Sequence, residues 1–447
     1  MEIIKEDLKK VLNIARERNC KELHINSKVN DEGNIIYTND KFILSVDLYG
    51  TFHLNSKDSS TLKFTGSFEG AFQLLFWLES IVFDDVDTNK VTSMKDMFYG
   101  CTHLERLYLT TFDTSNVKDM SNMFYNCMDL KDLDLSNFDT SNVKDMSNMF
   151  YSCTSLTRLD LSNFDTSNVK DMKRMFDYCN SLKQLDVSNF DTSKVEDMGR
   201  MFNNCSSLKQ LDVSNFETSN VTDMSSMFEN CTSFRTLDLS NFDTSKVKGM
   251  NHMFKGCNTL EHLNICNFNT ENVEDMCSMF YECGYLEYLD VSSFNTKNVI
   301  NMCSMFDGCE YLKTLDLSSF DTSSVEDIKG MFSKCKSLKQ LNLTSFNTEK
   351  IKNMNFMFSE CTHLESLDLS SFNTENVQLM QYMFAGCKSL KQLDISSFNL
   401  KNIDKEDGLC NTFYLCNRLP EEVKENLLKL VENDLNNNDD LKECKVF

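Results

Sequence analysis

Residues 127–178 read CMDLKDLDLSNFDTSNVKDMSNMFYSCTSLTRLDLSNFDTSNVKDMKRMFDY, which is one 26-residue unit written twice. The unit recurs along most of the chain, and its first position is cysteine in twelve consecutive copies from Cys101 to Cys387. A fixed period of this length is typical of a solenoid, in which one supersecondary unit is copied and stacked. The sequence therefore predicts an extended repeat protein whose functional surface is extended rather than a single pocket.

The apolar positions of the unit predict how one coil folds. With the cysteine as position 0, positions 3, 6 and 8 are aliphatic with one Phe exception, position 11 is Phe, and positions 22 and 23 are Met-Phe. Leu133 and Leu135 alternate with Asp134 and Ser136. This alternation indicates a short strand that pairs in parallel with its copies. Beyond the Asp-Thr-Ser-Asn turn cluster, apolar residues recur every three residues, which predicts a helical return.

The repeat also resembles a known family. The run L-x-x-L-D-L-S-x-F-D-T-S-x-V-x-D-M-x-x-M-F-x-x-C covers roughly residues 75–416 and is similar to the leucine-rich-repeat superfamily, specifically its BspA-like subfamily. The resemblance implies an α/β solenoid, a curved leucine-rich-repeat-type superhelix with a parallel β-sheet on its concave face. It also implies a second short strand at V-x-x-M and short helical turns at M-F-x-x-C on the return side. Phe stands where ordinary leucine-rich repeats carry Asn or Cys, which predicts a phenylalanine stack in place of an asparagine ladder.

Both ends of the array depart from the period and are predicted to be caps. Residues 1–74 should form an N-terminal cap, with an amphipathic helix over 1–19, strands and a degenerate repeat. Residues 75–416 should form the solenoid, with about 13 coils of 26 residues. Residues 417–447 should form a cap helix starting at Pro420, which covers the end of the core, followed by a loose acidic tail.

Charge and targeting signals narrow the classes of partner. The net charge is −23. Nucleic acid and anionic membrane surfaces are therefore disfavoured as ligands. We find no signal peptide and no apolar run long enough to span a bilayer, so no direct membrane insertion is expected. By sequence alone the protein would be intracellular, whereas BspA-like proteins are often found at the cell surface.

The periodic cysteines belong to the apolar pattern. Neighbouring coils would bring them close enough for disulfides, but free cysteine is among the most buried residue types, so a buried and reduced ladder is favoured. Cys277 and Cys303 form a second, local column with the same ambiguity. The chain has no C-x-x-C pair and six scattered histidines. We therefore expect no metal and no cofactor.

The outward positions of the predicted strand form columns that could bind a partner. Position 7 is aspartate in nine copies, position 9 is mostly Ser or Thr, and position 5 varies, so that specificity would be encoded there. The candidate binding residues are Asp134, Asp160, Asp186, Asp212, Asp238, Asp290, Asp316, Asp368, Asp394, Gln184, Gln210, His262 and Tyr288. Either these carboxylates bind turn amides and are structural, or they bind cations, a basic peptide or a polar glycan.

These patterns point to binding and away from catalysis. The chain has no phosphate-cradling glycine loop and no G-x-S-x-G motif, and no histidine repeats with an acid or a nucleophile. We therefore expect a non-enzymatic protein that recognises a protein partner, basic by charge complementarity, on its concave acidic face. The resemblance implies an adhesin-like role. An intracellular scaffold or effector using the same face, or a purely structural rod, are the alternatives, and the oligomeric state is open.

Overall fold

The computed structural model describes residues 2–28 and 33–434, and it divides the chain into two compact units, Met1–Asn220 and Val221–Phe447. Each unit is a β-solenoid, and the two together contain about 14 turns. The 26-residue period continues through the division between the units. Beyond residue 434, the predicted acidic tail lies outside the described residues.

Helices are few among the described residues. They are α1 (Lys5–Glu17) and α2 (Glu421–Asp434), the second of which begins directly after Pro420. The strands are β1 (Glu2–Ile3), β2 (Glu22–Asn26), β3 (Asn34–Thr38), β4 (Phe42–Val46), β5 (Phe52–Ser56), β6 (Leu62–Ser67), β7 (Ser80–Asp84), β8 (Val86–Ser93), β9 (Arg106–Tyr108), β10 (Asp132–Leu133), β11 (Thr236–Asp238), β12 (His262–Asn264), β13 (Ser366–Asp368) and β14 (Gln392–Asp394).

The N-terminal region shares a sheet with the first coils of the array. Its strand order is β10-β9-β7-β2-β5-β4-β3, parallel from β10 to β5 and antiparallel from there to β3. Leu23 of β2 pairs with Ile81 of β7, which places β2 in register with the strands of the repeat. The region thus continues the parallel stack for two more strands and then ends it with an antiparallel meander.

Two surfaces of each coil matter for function, and we name them by position. The strand side is positions 5 to 9, which in the coil from Cys127 is Asp132–Ser136. The turn side is positions 18 to 25, which in the same coil is Asp145–Ser152. The sequence predicted that the turn side contains short helical turns, and the structure has successive β-turns there instead.

Backbone geometry explains why the turn side is not helical. Asn148 and Ser152 adopt the left-handed conformation, with φ of 54° and 57°. A right-handed helix does not allow this conformation. With Met146 and Phe150, they donate their backbone N–H groups to carbonyls of the next coil at 2.7–3.1 Å. The amides that a helix would use within itself therefore join neighbouring coils, and the predicted α/β solenoid is a β-solenoid.

The strand side is less regular than predicted. Strands β9 to β14 are two or three residues long, and the coils at 153–230 contain no strand at positions 5 to 9. The peptide groups on this side border exposed side chains, where water can satisfy them, so a continuous ladder is not obligatory.

Buried side-chain ladders connect the coils. Phe98, Phe124, Phe150 and Phe176 stack nearly parallel with ring centres 5.6–5.8 Å apart. This long stack is at position 23, whereas the sequence predicted one at position 11, of which Phe294 and Phe320 at 6.3 Å are an example. Contrary to the sequence prediction, an asparagine ladder is also present, one residue before the position-11 Phe. Asn163, for example, donates to Leu135 O and Phe138 O at 3.0 and 2.7 Å.

A threonine ladder and the predicted cysteine ladder also connect the coils. Thr166 at position 13 is buried and donates to Asp191 O at 2.9 Å while accepting from Asp191 N at 2.8 Å. The twelve periodic cysteines are buried and form no disulfides, and each of those with a described bond donates its thiol to a backbone carbonyl, as Cys153 Sγ does to Phe124 O at 3.2 Å. Burial raises the pKa of the Cys153 thiol to about 12. Such thiols are neutral at physiological pH.

Candidate functional site

The strand side presents every candidate residue to solvent. The nine aspartates at position 7 and the four residues at position 5, Gln184, Gln210, His262 and Tyr288, are all exposed. Leu133 and its equivalents alternate with them. Leu133 is buried, because successive strand residues point to opposite faces. The candidate residues therefore form a surface column in each unit.

Each aspartate of the column also has a local structural role. Asp160 Oδ1 accepts the backbone N–H of Ser162 at 3.0 Å, and the other eight make the same bond at 2.9–3.0 Å. This bond, followed by one from the Ser162 hydroxyl, holds the pKa of Asp160 below its ordinary value. The Asp160 carboxylate is consequently charged at neutral pH, and all nine carboxylates fix the turn that follows the strand.

Four predicted residues meet at a shallow depression in the second unit. Its volume is about 440 Å³, and its lining includes Asp238, His262, Tyr288 and Asp290. The column is interrupted there, because Asn264 replaces the aspartate that most coils have at position 7 and pairs with Asp238 of the preceding coil. Tyr288 is 64% exposed, so the depression presents an aromatic ring to solvent together with two carboxylates.

A larger cavity of about 1060 Å³ lies between α2 and the strand side of the last coils. Asp368 and Asp394 line it, together with Glu422, Val423 and Lys429 of the helix. The sequence assigned α2 to the end of the core, and the structure places it beside the candidate columns. In these coils the aspartates therefore face a helix, whereas the depression at Tyr288 has no helix among its lining residues.

The N-terminal region contains a polar cavity that the sequence reasoning missed. It has a volume of about 280 Å³ and is lined by His24, Asn26, His53, Asn55 and other residues. The two imidazoles face each other edge to face at 5.2 Å because β2 and β5 pair in register. Burial and then the neighbouring imidazole lower the pKa of His24. The repeated H-x-N pattern of β2 and β5 was the sequence signal for this cavity.

Within residues 2–28 and 33–434, no group of three or more His, Cys, Asp or Glu side chains is arranged to hold a metal ion. No helix in the same residues is long and apolar enough to cross a membrane.

The fold and its exposed columns define a β-solenoid repeat protein. Four overlapping segments, residues 66–185, 157–264, 250–366 and 335–433, match the family described as "Mycoplasma protein of unknown function, DUF285". These matches span most of the chain, and the chain belongs to this family. None of the curated proteins compared with the chain matches it.

Proposed function

We propose that this protein is a non-enzymatic binding protein that holds a basic segment of a partner protein on its strand side. The observation that carries the proposal is the depression at Tyr288, where two carboxylates, an imidazole and an exposed aromatic ring converge. Aromatic side chains such as tyrosine are enriched at protein–protein interfaces and among the residues that contribute most to binding. The position-5 residues differ from coil to coil, so each coil can contact a different side chain of the partner and the column can be specific for its sequence.

Charge favours a basic partner. The chain carries 68 acidic and 45 basic side chains. The carboxylates of the column repeat at the coil spacing of about 4.8 Å. Such a row attracts cationic groups before contact and is screened over about 8 Å at physiological ionic strength. Lys313 Nζ lies 5.7 Å from the Tyr288 ring centre and pairs with Glu287. Because Lys313 already offsets the charge of Glu287, the basic groups of a partner would be attracted to Asp238 and Asp290 instead.

We also propose a biological role for this binding. The 26-residue repeats are consistent with the resemblance to BspA-like proteins, which supports an adhesin-like recognition of another protein. An intracellular scaffold would use the same columns. A structural rod is favoured by one observation, the bond from each column aspartate to the amide two residues on.

A charge-matched comparison tests binding against the structural alternative. The test variant replaces Asp160, Asp186 and Asp212 by Asn, and the control replaces Asp139, Asp165 and Asp191 by Asn. Both triplets lie in the first unit, both are exposed, and both cap a serine amide two residues on. The probe is a fluorescent decalysine peptide, with decaglutamate as the reference, and the readout is anisotropy at low and high salt.

We expect the test variant to lose decalysine affinity several-fold more than the control, with a shallower salt dependence. Equal losses in the two variants would mean that the peptide senses net charge alone, and the column would then be structural. A second pair of variants examines the depression: Tyr288→Ala should weaken binding, whereas Tyr285→Ala, which removes an exposed ring of the same coil, should not. Unchanged binding in Tyr288→Ala would exclude the depression from the site.

A further inference from the structure

Two cysteines of the second unit lie outside the buried ladder. Cys277 and Cys303 occupy position 20 of successive coils, and both are partly exposed and free. In the other coils of regular length this position is serine, lysine, asparagine, glycine or glutamine. Ser147 and Lys173, for example, are half-buried. The position therefore belongs to the polar turn side rather than to the apolar core, and the two thiols need an explanation that apolar packing does not supply.

The stacking of the coils aligns the two thiols. Asp275 and Asn301, two residues earlier, form a parallel bridge, and the N–H of Ser278 donates to Cys303 O at 2.8 Å. Each cysteine N–H is held by the side chain two residues before it, at 2.9 Å in Cys277 and 3.0 Å in Cys303. In-register positions of paired strands lie roughly 4.8 Å apart. That spacing is within the Cα separation of about 4.4–6.8 Å that a disulfide bridges.

We propose that Cys277 and Cys303 are a modification site, a thiol pair that hydrogen peroxide converts into a reversible disulfide between neighbouring coils. The Cys277 thiolate attacks one oxygen of hydrogen peroxide, the O–O bond breaks, and a sulfenic acid forms while the leaving hydroxide takes up the proton that the thiol had released and becomes water. The Cys303 thiol then attacks the sulfenic sulfur, the S–S bond forms, and the hydroxyl leaves as a second water. Two thiols are oxidised and one peroxide is reduced to two waters, and a dithiol reductant reverses the change.

The local chemistry supports this order of events. The Cys303 thiol stabilises the neighbouring thiolate and lowers the pKa of Cys277 to about 7. A nucleophilic sulfur is therefore available near neutral pH. The same interaction raises the pKa of Cys303, which makes it the second thiol to react. By contrast, burial raises the pKa of the periodic cysteines such as Cys283, and their thiols have no access to solvent.

The test oxidises the full-length folded protein with a small excess of hydrogen peroxide, blocks the remaining thiols, and maps disulfides by mass spectrometry. We expect one intramolecular bond joining Cys277 to Cys303 in most molecules, its loss on treatment with dithiothreitol, and its absence in Cys277→Ser and Cys303→Ser. Serine occupies this position in other coils, so these variants should fold as the wild type does.

Cys266→Ser is the matched control because Cys266 is an exposed thiol of the same coil as Cys277, without a cysteine at the same position in either neighbouring coil. This variant should form the Cys277–Cys303 bond at the wild-type rate. Three outcomes would overturn the proposal: over-oxidation of Cys277 without a disulfide, a bond that survives in Cys277→Ser, or thiols at 277 and 303 that resist peroxide while Cys266 reacts.

Discussion

The strand side and the turn side of the same coils are held together by different forces. On the turn side, four backbone N–H groups of one coil bond to carbonyls of the next, and large side chains such as Phe150 are fully buried beneath them. On the strand side, the coils at 153–230 have no ladder at positions 5 to 9, and charged side chains cover the surface. The segment whose sequence pattern predicts a strand therefore forms the weaker connection between neighbouring coils, and its surface is available for recognition.

The largest expected loss of folding stability comes from truncating the buried side chains, and it should differ between the two sides. Phe150→Ala removes a ring from the middle of a continuous stack. It should therefore destabilise the first unit by about 3–5 kcal/mol. On the strand side, Leu159 is 7% exposed. Leu159→Ala should accordingly cost only about 2 kcal/mol. Urea unfolding and hydrogen exchange of the turn-side amides would measure both, and a greater loss in Leu159→Ala would reverse the comparison.

The next effect concerns the corner of the coil between the two sides. Thr166→Val keeps the shape of the side chain but leaves the N–H and C=O groups of Asp191 without their partner. This loss should cost about 1–3 kcal/mol. The control is Ser167→Ala, since Ser167 is part-exposed. The control should change stability by about 0.5 kcal/mol at most. If thermal unfolding shows equal losses in the two variants, the threonine ladder does not hold the coils together.

Lowering the pH should change the contribution of an aspartate to folding stability in opposite directions on the two sides. Burial raises the pKa of Asp307 on the turn side to about 6, and its Oδ1 has no hydrogen-bond partner. Its charge therefore opposes folding above pH 6, and this cost disappears as the pH falls below about 4. Asp307→Asn should stabilise the second unit by about 1 kcal/mol at pH 7.5, after allowance for solvent screening, and by little at pH 4.

The strand-side counterpart is Asp316, whose pKa is lowered by the N–H and hydroxyl of Ser318. Its contribution is present above about pH 4 and is lost as the pH falls through the depressed pKa of the folded state. Asp316→Asn should consequently weaken folding at pH 7.5 and less so in acid. Melting temperatures of the two variants across pH would measure both trends, and changes of the same sign would contradict the assignment.

The smallest effect compares ion pairs between coils of the second unit. Lys255 and Glu229 on the turn side lie 3.1 Å apart with side chains 33% and 11% exposed, whereas Arg235, paired with Glu261 near the strand side, is 72% exposed. Double-mutant cycles should give a coupling of about 1 kcal/mol for the first pair and about 0–0.5 kcal/mol for the second. Raising the salt concentration should weaken the second pair more.

The parts of the fold that follow from the period could be read from the sequence. Identical residues 26 apart must stack on one another. The buried Leu, Phe, Met, Thr and Cys positions are accordingly found where the pattern places them. The candidate columns could be predicted for the same reason, because alternation along the strand decides which side chains face outward. The grouping of Asp238, His262, Tyr288 and Asp290 at one depression depended on register between coils, which the period also supplies.

The conformation of the turn side could not be predicted from local signals. Apolar residues three apart fit a helix as well as a chain of turns, so periodicity does not separate them. Asparagine, as at Asn148, suits the left-handed conformation, whereas arginine and tyrosine have no intrinsic preference for it. Arg174 and Tyr178 nevertheless adopt it, with φ of 54° and 62°. Their backbone is held by bonds to neighbouring coils, such as Arg174 N to Gly199 O at 2.9 Å.

The sequence by itself determined the solenoid, its core positions and the row of carboxylates, because a repeat of constant length places equivalent residues of successive coils on top of one another. Only the tertiary structure decided that the coils are joined on the turn side by amides that a helix would have used internally. It also placed α2 beside the strand side and left the thiols of Cys277 and Cys303 partly exposed. Hydrogen bonds between coils and contacts between distant segments depend on the whole stack, so no single unit encodes them.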